Sequence, residues 1–255
     1  MIKFERTITL SGEQWRSVIM GARNPMNSWL RSDSQMCGSG DCDICIDYNN
    51  CPYNHNPDKL IMGPNDHDLL MRLAKGGPVH AKYRRQIFVY VDITAPLYWW
   101  KEFDTYKVGT TANSCSTMHK IHAKPFVLDD FSHEHLDTEC TDFDTSFSYP
   151  GDEGETIWND ATVLCLTINA LNEYRKKFLE TKDKKYWHKM IQLLPSSYNQ
   201  KRTVTMTYEN LYNAYHSRKD HKLDEWRVGF CEWAKSLPYS ELFTMEREEP
   251  NEQTS

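Results

Sequence analysis

The stretch that decides the fold is Arg85-Gln-Ile-Phe-Val-Tyr-Val-Asp-Ile-Thr-Ala-Pro96. Aliphatic side chains occupy every second position from Ile87 to Ile93, which is the period of a β-strand with one buried face. Pro96 cannot donate to a strand ladder, but it suits the start of a helix, and four aromatic residues follow it within seven positions. The sequence therefore predicts a strand that leads directly into an aromatic helix.

Other strand and helix patterns lie on both sides of this segment. Residues 3–9 alternate like a strand, and Ser11 with Gln14 forms a capping box for the helix that follows. A second helix is predicted from Pro64 to the pair of glycines at Gly76. The remaining expectations are a polar loop at 107–118 and helices at about 156–180, 184–194, 205–218 and 222–236.

The composition is that of a globular protein without the charge of a duplex-binding protein. Of the 255 residues, 39% are hydrophobic and 26% are charged, and the formal net charge is −6. A negative net charge disfavours binding to duplex nucleic acid. No apolar run approaches the roughly 18 residues that span a bilayer, so we expect a cytoplasmic protein that is not inserted in membranes.

Two segments lack the period of a helix or a strand. Residues at about 34–57 are rich in Ser, Gly, Asp, Asn and Cys, and those at about 129–155 include ten acidic residues. We interpret the first as a Cys-rich insertion and the second as a solvated connection. Because no internal repeat or domain boundary is visible, the sequence predicts a single α/β (α+β) domain over residues 1–255.

The Cys-rich insertion has the spacing of a metal site. Cys37, Cys42, Cys45 and Cys51 form a C-x4-C-x2-C-x5-C pattern. Four thiolates this close together can bind zinc tetrahedrally, while the first three also match the spacing of a plant-type iron–sulfur loop. Structural zinc is the favoured interpretation, and free thiols or an iron–sulfur cluster are the alternatives.

Residues 64–120 and 184–237 resemble the flavin-dependent thymidylate synthases. In that family a histidine precedes the strand, and the following helix leads to an Arg-His-Arg signature and then to an Asn and a Ser. In the C-terminal half, a Leu-Pro pair precedes a helix with a flavin-binding Asn and a nucleotide-binding Arg. The matching positions here are His80; Thr105, Tyr106 and Lys107; Asn113 and Ser116; Leu194-Pro195; Asn213 and Arg218.

The resemblance implies a curved, mainly antiparallel sheet with flanking helices, assembled as a homotetramer. It implies transfer of a one-carbon unit from methylene-tetrahydrofolate to C5 of dUMP, with FAD as the flavin and NADPH as the reductant. Arg218 is the implied catalytic residue. The implied flavin contacts are His80, Thr105, Tyr106, Lys107, Asn113 and Asn213, and the implied substrate contacts are Glu102, Ser114, Ser116 and Arg218.

The sequence departs from the family where phosphate binding is expected. The Arg-His-Arg signature keeps one cation, Lys107, and Met118 and Ile191 replace two further family arginines. Lysine does not reproduce the bidentate geometry of arginine. Either other cations replace the lost ones, the candidates being Lys101, Lys107, Arg84 and Arg85, or the substrate differs.

Two other functions therefore remain open. A related flavin enzyme could modify another pyrimidine nucleotide, for example by the hydroxymethylation that bacteriophages use. A non-catalytic protein that binds a nucleotide or zinc could also keep the same scaffold. Without the resemblance, Arg218 would be interpreted as a surface arginine at a helix end, and His80 as a structural histidine.

Overall fold

The computed structural model describes residues 2–37, 56, 58–136, 148–150 and 156–246, with the backbone alone at 148–150 and 156–158. The helices in this part of the chain are α1 (Gly12–Arg23), α2 (Pro64–Lys75), α3 (Leu97–Phe103), α4 (Asp160–Thr181), α5 (Lys184–Leu193), α6 (Tyr208–Arg218), α7 (Cys231–Lys235) and α8 (Glu241–Thr244). Residues Ala81–Gln86 form a 3-10 helix and Glu225–Phe230 a π-helix.

The strands are β1 (Lys3–Ile8), β2 (Gln35–Met36), β3 (Leu60–Ile61), β4 (Phe88–Pro96), β5 (Thr111–Ser114), β6 (Ser148–Pro150), β7 (Thr156–Trp158) and β8 (Asn199–Thr207). Four of them form one sheet in the order β1-β4-β8-β5. The pairs β2-β3 and β6-β7 form two small antiparallel sheets. This combination of helices with antiparallel sheets confirms the predicted α/β (α+β) class.

The elements with strong local signals form as predicted. Ser11 accepts a hydrogen bond from the backbone N–H of Gln14, whose side chain accepts one from Ser11 N–H, so the capping box of α1 is present. Helix α2 begins at Pro64 and is capped at Gly76. The decisive strand is β4, in which Val89, Val91 and Ile93 are buried.

Three sequence predictions are wrong in part. Residues Thr111–Ser114, predicted as loop, form β5, and Thr156–Trp158, predicted as helix, pair with β6. The predicted helix at 205–218 begins only at Tyr208, because the residues before it belong to β8. Val204 and Met206 alternate on the buried face of that strand, and a pattern of two residues was too short to identify it.

Contacts between residues divide the chain into two compact units. The first unit comprises Met1–Lys3, Ile93–Thr105 and Asn113–Thr203, and the second comprises Phe4–Asp92, Tyr106–Ala112 and Val204–Ser255. The predicted single-domain organisation stays a prediction. Each unit has its own buried apolar residues. They include Phe131, Ile168, Leu171 and Met190 in the first unit and Trp15, Leu70, Tyr208, Trp226 and Phe243 in the second.

The described helices include none that is both long and apolar enough to cross a membrane. Most of the predicted acidic connection lies outside the described residues, as do Cys42, Cys45 and Cys51 of the Cys-rich insertion.

Candidate functional site

Helix α6 carries two of the predicted site residues, and its start is fixed by a side-chain cap. The hydroxyl of Thr207 accepts a hydrogen bond from the backbone N–H of Asn210, whose side-chain oxygen accepts one from Thr207 N–H. The amide of Asn210 donates in turn to the carbonyl of Val108. Gly109 next to it has a φ of 78°, a conformation that favours glycine. The loop at 106–110 is therefore attached to the first turn of α6.

Arg218, the last residue of α6, contacts aromatic rings from two other segments. Its Nε donates a hydrogen bond to the hydroxyl of Tyr106 at 3.0 Å. Its guanidinium carbon lies 5.0 Å from the ring centroid of Trp226 and 5.7 Å from that of Tyr106. The two rings meet edge to face, with centroids 6.1 Å apart. The structure thus brings together two predicted site residues, Tyr106 and Arg218.

This arrangement restrains the guanidinium of Arg218 while leaving part of the side chain exposed to solvent. Trp226 is fully buried, so it provides a rigid surface for the guanidinium, while Arg218 itself is half-buried. Cation–π contacts and a hydrogen bond at Nε restrict the rotamers of a long side chain before any ligand binds. A planar guanidinium held in this way can donate to a carbonyl or a carboxylate and stabilise negative charge that develops there.

Asn213, the second predicted site residue on α6, is exposed. It precedes Arg218 by five residues, which corresponds to about 7.5 Å along a helix axis. The two side chains can therefore serve neighbouring parts of one ligand or two adjacent ligands.

His80 is exposed and lines a cavity of about 570 Å³ in the second unit. The apolar residues Ala22 and Met26 line this cavity, and so do Tyr83 and Gln86 from the segment after His80. Burial raises the pKa of Tyr83, and its hydroxyl donates to the carbonyl of Leu70 at 2.8 Å. The volume lies within the range of about 300–1,000 Å³ that small-molecule sites have.

The other predicted site residues belong to the first unit, apart from Lys107. The hydroxyl of Thr105 donates to the carbonyl of Glu102 at 2.7 Å, closing the end of α3. Asn113 and Ser114 are exposed on β5. The Ser116 hydroxyl accepts hydrogen bonds from two backbone N–H groups, those of Met118 and His119. Ser116 thus caps a turn, a role that serine side chains commonly have in loops.

Of the four cations that could replace the missing arginines, three are exposed, namely Lys101, Lys107 and Arg85. Arg84 is 1% exposed and forms an ion pair with Glu209 at 3.1 Å, so it is not a surface group for a phosphate. The suggestion that Arg84 takes over phosphate binding is therefore wrong, because its charge is already paired inside the protein.

A metal site is not found among the described residues, which contain no group of three or more His, Cys, Asp or Glu side chains able to hold an ion. Cys37 is buried and is the only member of the predicted four-cysteine cluster that lies within them. Because the other three cysteines lie outside the described residues, the zinc site stays a prediction.

The sequence patterns missed Asn210 and Trp226. The spacing of Thr207 and Asn210 is that of a capping box, and this signal could have placed the helix start and identified Asn210. Trp226 lies in the segment that was predicted only as a helix at about 222–236. Its contact with Arg218 could not be inferred, since Trp226 lies in a π-helix, Glu225–Phe230, which the sequence pattern did not predict.

No protein-family model matches the chain, and no curated protein matches it. Thymidylate synthase X from Helicobacter pylori, solved with FAD and dUMP, matches with a TM-score of 0.57 at 15% identity, covering 96% of this chain and 96% of that chain. A second Helicobacter pylori structure of this flavin-dependent enzyme, also with FAD and dUMP, gives a TM-score of 0.57 at 15% identity and covers 96% and 97% of the two chains.

A UMP/dUMP methylase from Streptomyces cacaoi, solved with 5-Br dUMP, has a TM-score of 0.49 at 14% identity, covering 96% of this chain and 94% of that chain, which is too low to support a conclusion. The first two matches show that this chain has the fold of the flavin-dependent thymidylate synthases, as its sequence predicted.

Proposed function

We propose that this protein is a flavin-dependent thymidylate synthase-like enzyme, which transfers a one-carbon unit from methylene-tetrahydrofolate to C5 of dUMP. The observation that carries the proposal is the position of Arg218, held by Tyr106 and Trp226 at the end of α6. The shared fold supports it, since the similar structures from Helicobacter pylori are complexed with FAD and dUMP.

In this proposal the role of Arg218 is electrostatic. Before C5 of a uracil can attack a one-carbon donor, the ring must become electron-rich, and the negative charge of this nucleophilic form lies largely on the pyrimidine carbonyls. A guanidinium that is already oriented can stabilise this charge without reorganising during the reaction. Arg218 meets this requirement because its Nε is bound to Tyr106 and its face rests near Trp226.

The remaining binding groups are assigned by their exposure. His80 and Asn213 are exposed and are assigned to the flavin, and the cavity beside His80 has room for part of a cofactor. Bound and reduced FAD would supply the hydride. Lys107 is assigned to a phosphate, because it is exposed on the loop that Asn210 attaches to α6.

A second candidate is a flavin enzyme that modifies a different pyrimidine nucleotide. It is favoured by the loss of guanidinium groups, because Arg84 is buried and does not replace them. Each lost charge-assisted hydrogen bond is worth about 1.5–3 kcal/mol, enough to change which nucleotide is preferred. A non-catalytic protein on the same fold is the third candidate.

The test is flavin binding followed by single-turnover kinetics. Added FAD should be bound, with quenching of its fluorescence, and in the absence of oxygen the reduced flavin should be reoxidised only when dUMP and methylene-tetrahydrofolate are both present. Reoxidation with another pyrimidine nucleotide instead would select the second candidate. If FAD does not bind, both enzymatic proposals fail.

The assignment of Arg218 has a matched control. Arg218→Ala is expected to lower the reoxidation rate by about 100-fold to 1,000-fold, as for other preorganised donors, while FAD affinity changes little. Arg227→Ala removes an exposed arginine that is paired with Asp224, and it should leave the rate unchanged. Equal rates in the two variants would show that Arg218 is not the charge-stabilising residue.

The homotetramer, NADPH as reductant and cytoplasmic location are also proposals, and they rest on the family resemblance and the composition alone. Structural zinc at Cys37, Cys42, Cys45 and Cys51 rests on spacing. Anaerobically purified protein should contain one zinc ion per chain, and Cys42→Ser should lower both the zinc content and the midpoint of thermal unfolding. Iron in place of zinc would indicate a cluster, and neither metal would indicate free thiols.

A further inference from the structure

Arg84 is a buried charge that the proposed reaction does not use. Its Nε lies 3.1 Å from Oε2 of Glu209, and its guanidinium carbon lies 4.1 Å from the ring centroid of Tyr212. Nε and Nη1 of Arg84 and Oε2 of Glu209 are buried, yet none of these atoms makes a hydrogen bond to the described part of the chain. The two charged groups are close but lack the geometry of a hydrogen bond. The contact therefore rests on the attraction between the charges and on the stacking of the guanidinium on Tyr212.

Such a contact is not accounted for by stability. Removing a guanidinium and a carboxylate from water costs several kcal/mol, and apolar side chains of the same size are often as stable or more so. A charged pair in the core is useful when it specifies one arrangement of two elements among several that apolar packing would allow. The two elements that this pair joins therefore indicate what it does.

The pair joins the segment after His80 to helix α6. Arg84 lies in the 3-10 helix that begins directly after His80. Glu209 and Tyr212 are three residues apart on α6 and so lie on one face of it, opposite Arg84. Asn213 follows Tyr212 directly, and Arg218 ends the same helix. A rotation or sliding of α6 would move both ligand-assigned residues relative to His80.

We infer that Arg84 is a positioning residue, which sets α6 against the segment that carries His80 through its contacts with Glu209 and Tyr212. The residue thereby fixes the separation between His80 on one side and Asn213 and Arg218 on the other. The ligand roles of these three residues rest on the proposed function, whereas the positioning itself does not.

The test separates positioning from stability by neutralising both charges. Arg84→Met and Glu209→Gln each leave one charge of the pair without its partner and should lower the midpoint of thermal unfolding. The double variant removes both charges and should regain most of the midpoint. Its affinity for FAD should nevertheless remain about tenfold lower than that of the unmodified protein, the order of loss that follows removal of a residue that orients a metal-binding side chain. Arg16→Met, at an exposed arginine of α1 with no assigned ligand role, is the control and should change neither quantity.

A second measurement needs no ligand. Hydrogen exchange of peptides covering 79–86 and 208–218 should be faster in the double variant than in the unmodified protein, with other peptides unchanged. A double variant with a regained midpoint, unchanged exchange and unchanged FAD affinity would overturn the inference. If the unmodified protein does not bind FAD, the proposed function fails and hydrogen exchange alone decides the inference.

Arg84→Lys provides a decision if the double variant stays unstable. It keeps a positive charge opposite Glu209 but loses the planar group that stacks on Tyr212. We expect faster exchange in both peptides together with weaker FAD binding. Exchange like that of the unmodified protein in Arg84→Lys would overturn the inference.

Discussion

The Nε atom of Arg218 donates a hydrogen bond to the hydroxyl of Tyr106 at 3.0 Å, across 112 positions of sequence. By the family resemblance, Tyr106 stands at the middle position of the Arg-His-Arg signature. A phenol at this position cannot bind a phosphate as a cation does, but its oxygen can accept a hydrogen bond and orient an arginine. The contact gives this departure from the signature a physical role.

Tyr106→Phe is expected to lower the rate of dUMP-dependent flavin reoxidation by about tenfold to 100-fold, since a hydrogen bond to a charged group is worth about 1.5–3 kcal/mol. The aromatic ring remains, so the edge contact with Trp226 and the affinity for FAD should change little. Single-turnover kinetics measure the rate. Tyr90→Phe, at a tyrosine that is 48% exposed on β4, is the control. An unchanged rate in Tyr106→Phe would show that the hydroxyl does not orient Arg218.

Lys107→Ala is expected to weaken the binding of a phosphate-bearing ligand, FAD or dUMP, and to reduce the dependence of that binding on salt. Lys107 is exposed on the loop next to Tyr106, where a phosphate contact would be screened by added ions. Titrations of FAD and of dUMP at low and high ionic strength measure both effects. Lys176→Ala removes an exposed lysine of α4 and should leave both unchanged. An undiminished salt dependence in Lys107→Ala would place the phosphate elsewhere.

The fold was predictable where its signals are local. The capping box of Ser11 and Gln14 and the alternation in β4 each lie within a few residues of sequence. Strand β8 was missed because its residues gain their partners from the sheet, and Val204 and Met206 are the two buried apolar residues that precede the helix cap at Thr207. Pairing with distant residues decided this segment, and propensity did not.

The candidate site was predictable only through the resemblance. The residues around Arg218 have the pattern of an ordinary helix end, which does not indicate a binding site. Arg218 and Tyr106 became candidates only because they stand at the order and spacing of the family motifs. The contact of Arg218 with Trp226 could not be inferred, because Trp226 lies in a π-helix that the sequence pattern did not predict. Likewise the pairing of Arg84 with Glu209 joins residues distant in sequence, and no local pattern marks it.

His216 should make stability depend on pH. Burial lowers its pKa, and Lys219 and Arg84 lower it further, while a hydrogen bond to the Phe243 carbonyl and the nearby Glu246 oppose this. Because the folded pKa lies below the usual value of about 6.5, the unfolded chain takes up a proton first as the pH falls. The contribution of neutral His216 to stability is therefore complete above the usual pKa of about 6.5 and is lost as the pH falls below it.

The prediction is that His216→Gln reduces the fall in the free energy of unfolding between about pH 7 and pH 5. Urea unfolding at several pH values measures it. His119→Gln changes an exposed histidine and should leave the pH dependence as it is in the unmodified protein. A His216→Gln protein with the same pH dependence as the unmodified protein would show that other groups cause it.

Asp66 is the centre of a buried polar network in the second unit. It is 0% exposed, and its Oδ1 accepts a hydrogen bond from Nε of Arg23 at 2.6 Å. Its Oδ2 accepts from the hydroxyls of Ser32 at 2.7 Å and Ser34 at 2.6 Å. Burial alone would raise the pKa of Asp66, but the bonds from Ser34, Ser32 and Arg23 hold it below its usual value.

Asp66→Asn is expected to lower the free energy of unfolding by about 3–5 kcal/mol, because it leaves the buried guanidinium of Arg23 without a counter-charge. The matched control is Asp68→Asn on the same helix, where the partner is Arg72 and both side chains are exposed. A surface pair of this kind contributes about 1 kcal/mol or less. Urea unfolding at neutral pH measures both variants. Equal losses would show that the network around Asp66 is hydrated rather than buried, since only a group removed from water has so large an unpaired cost.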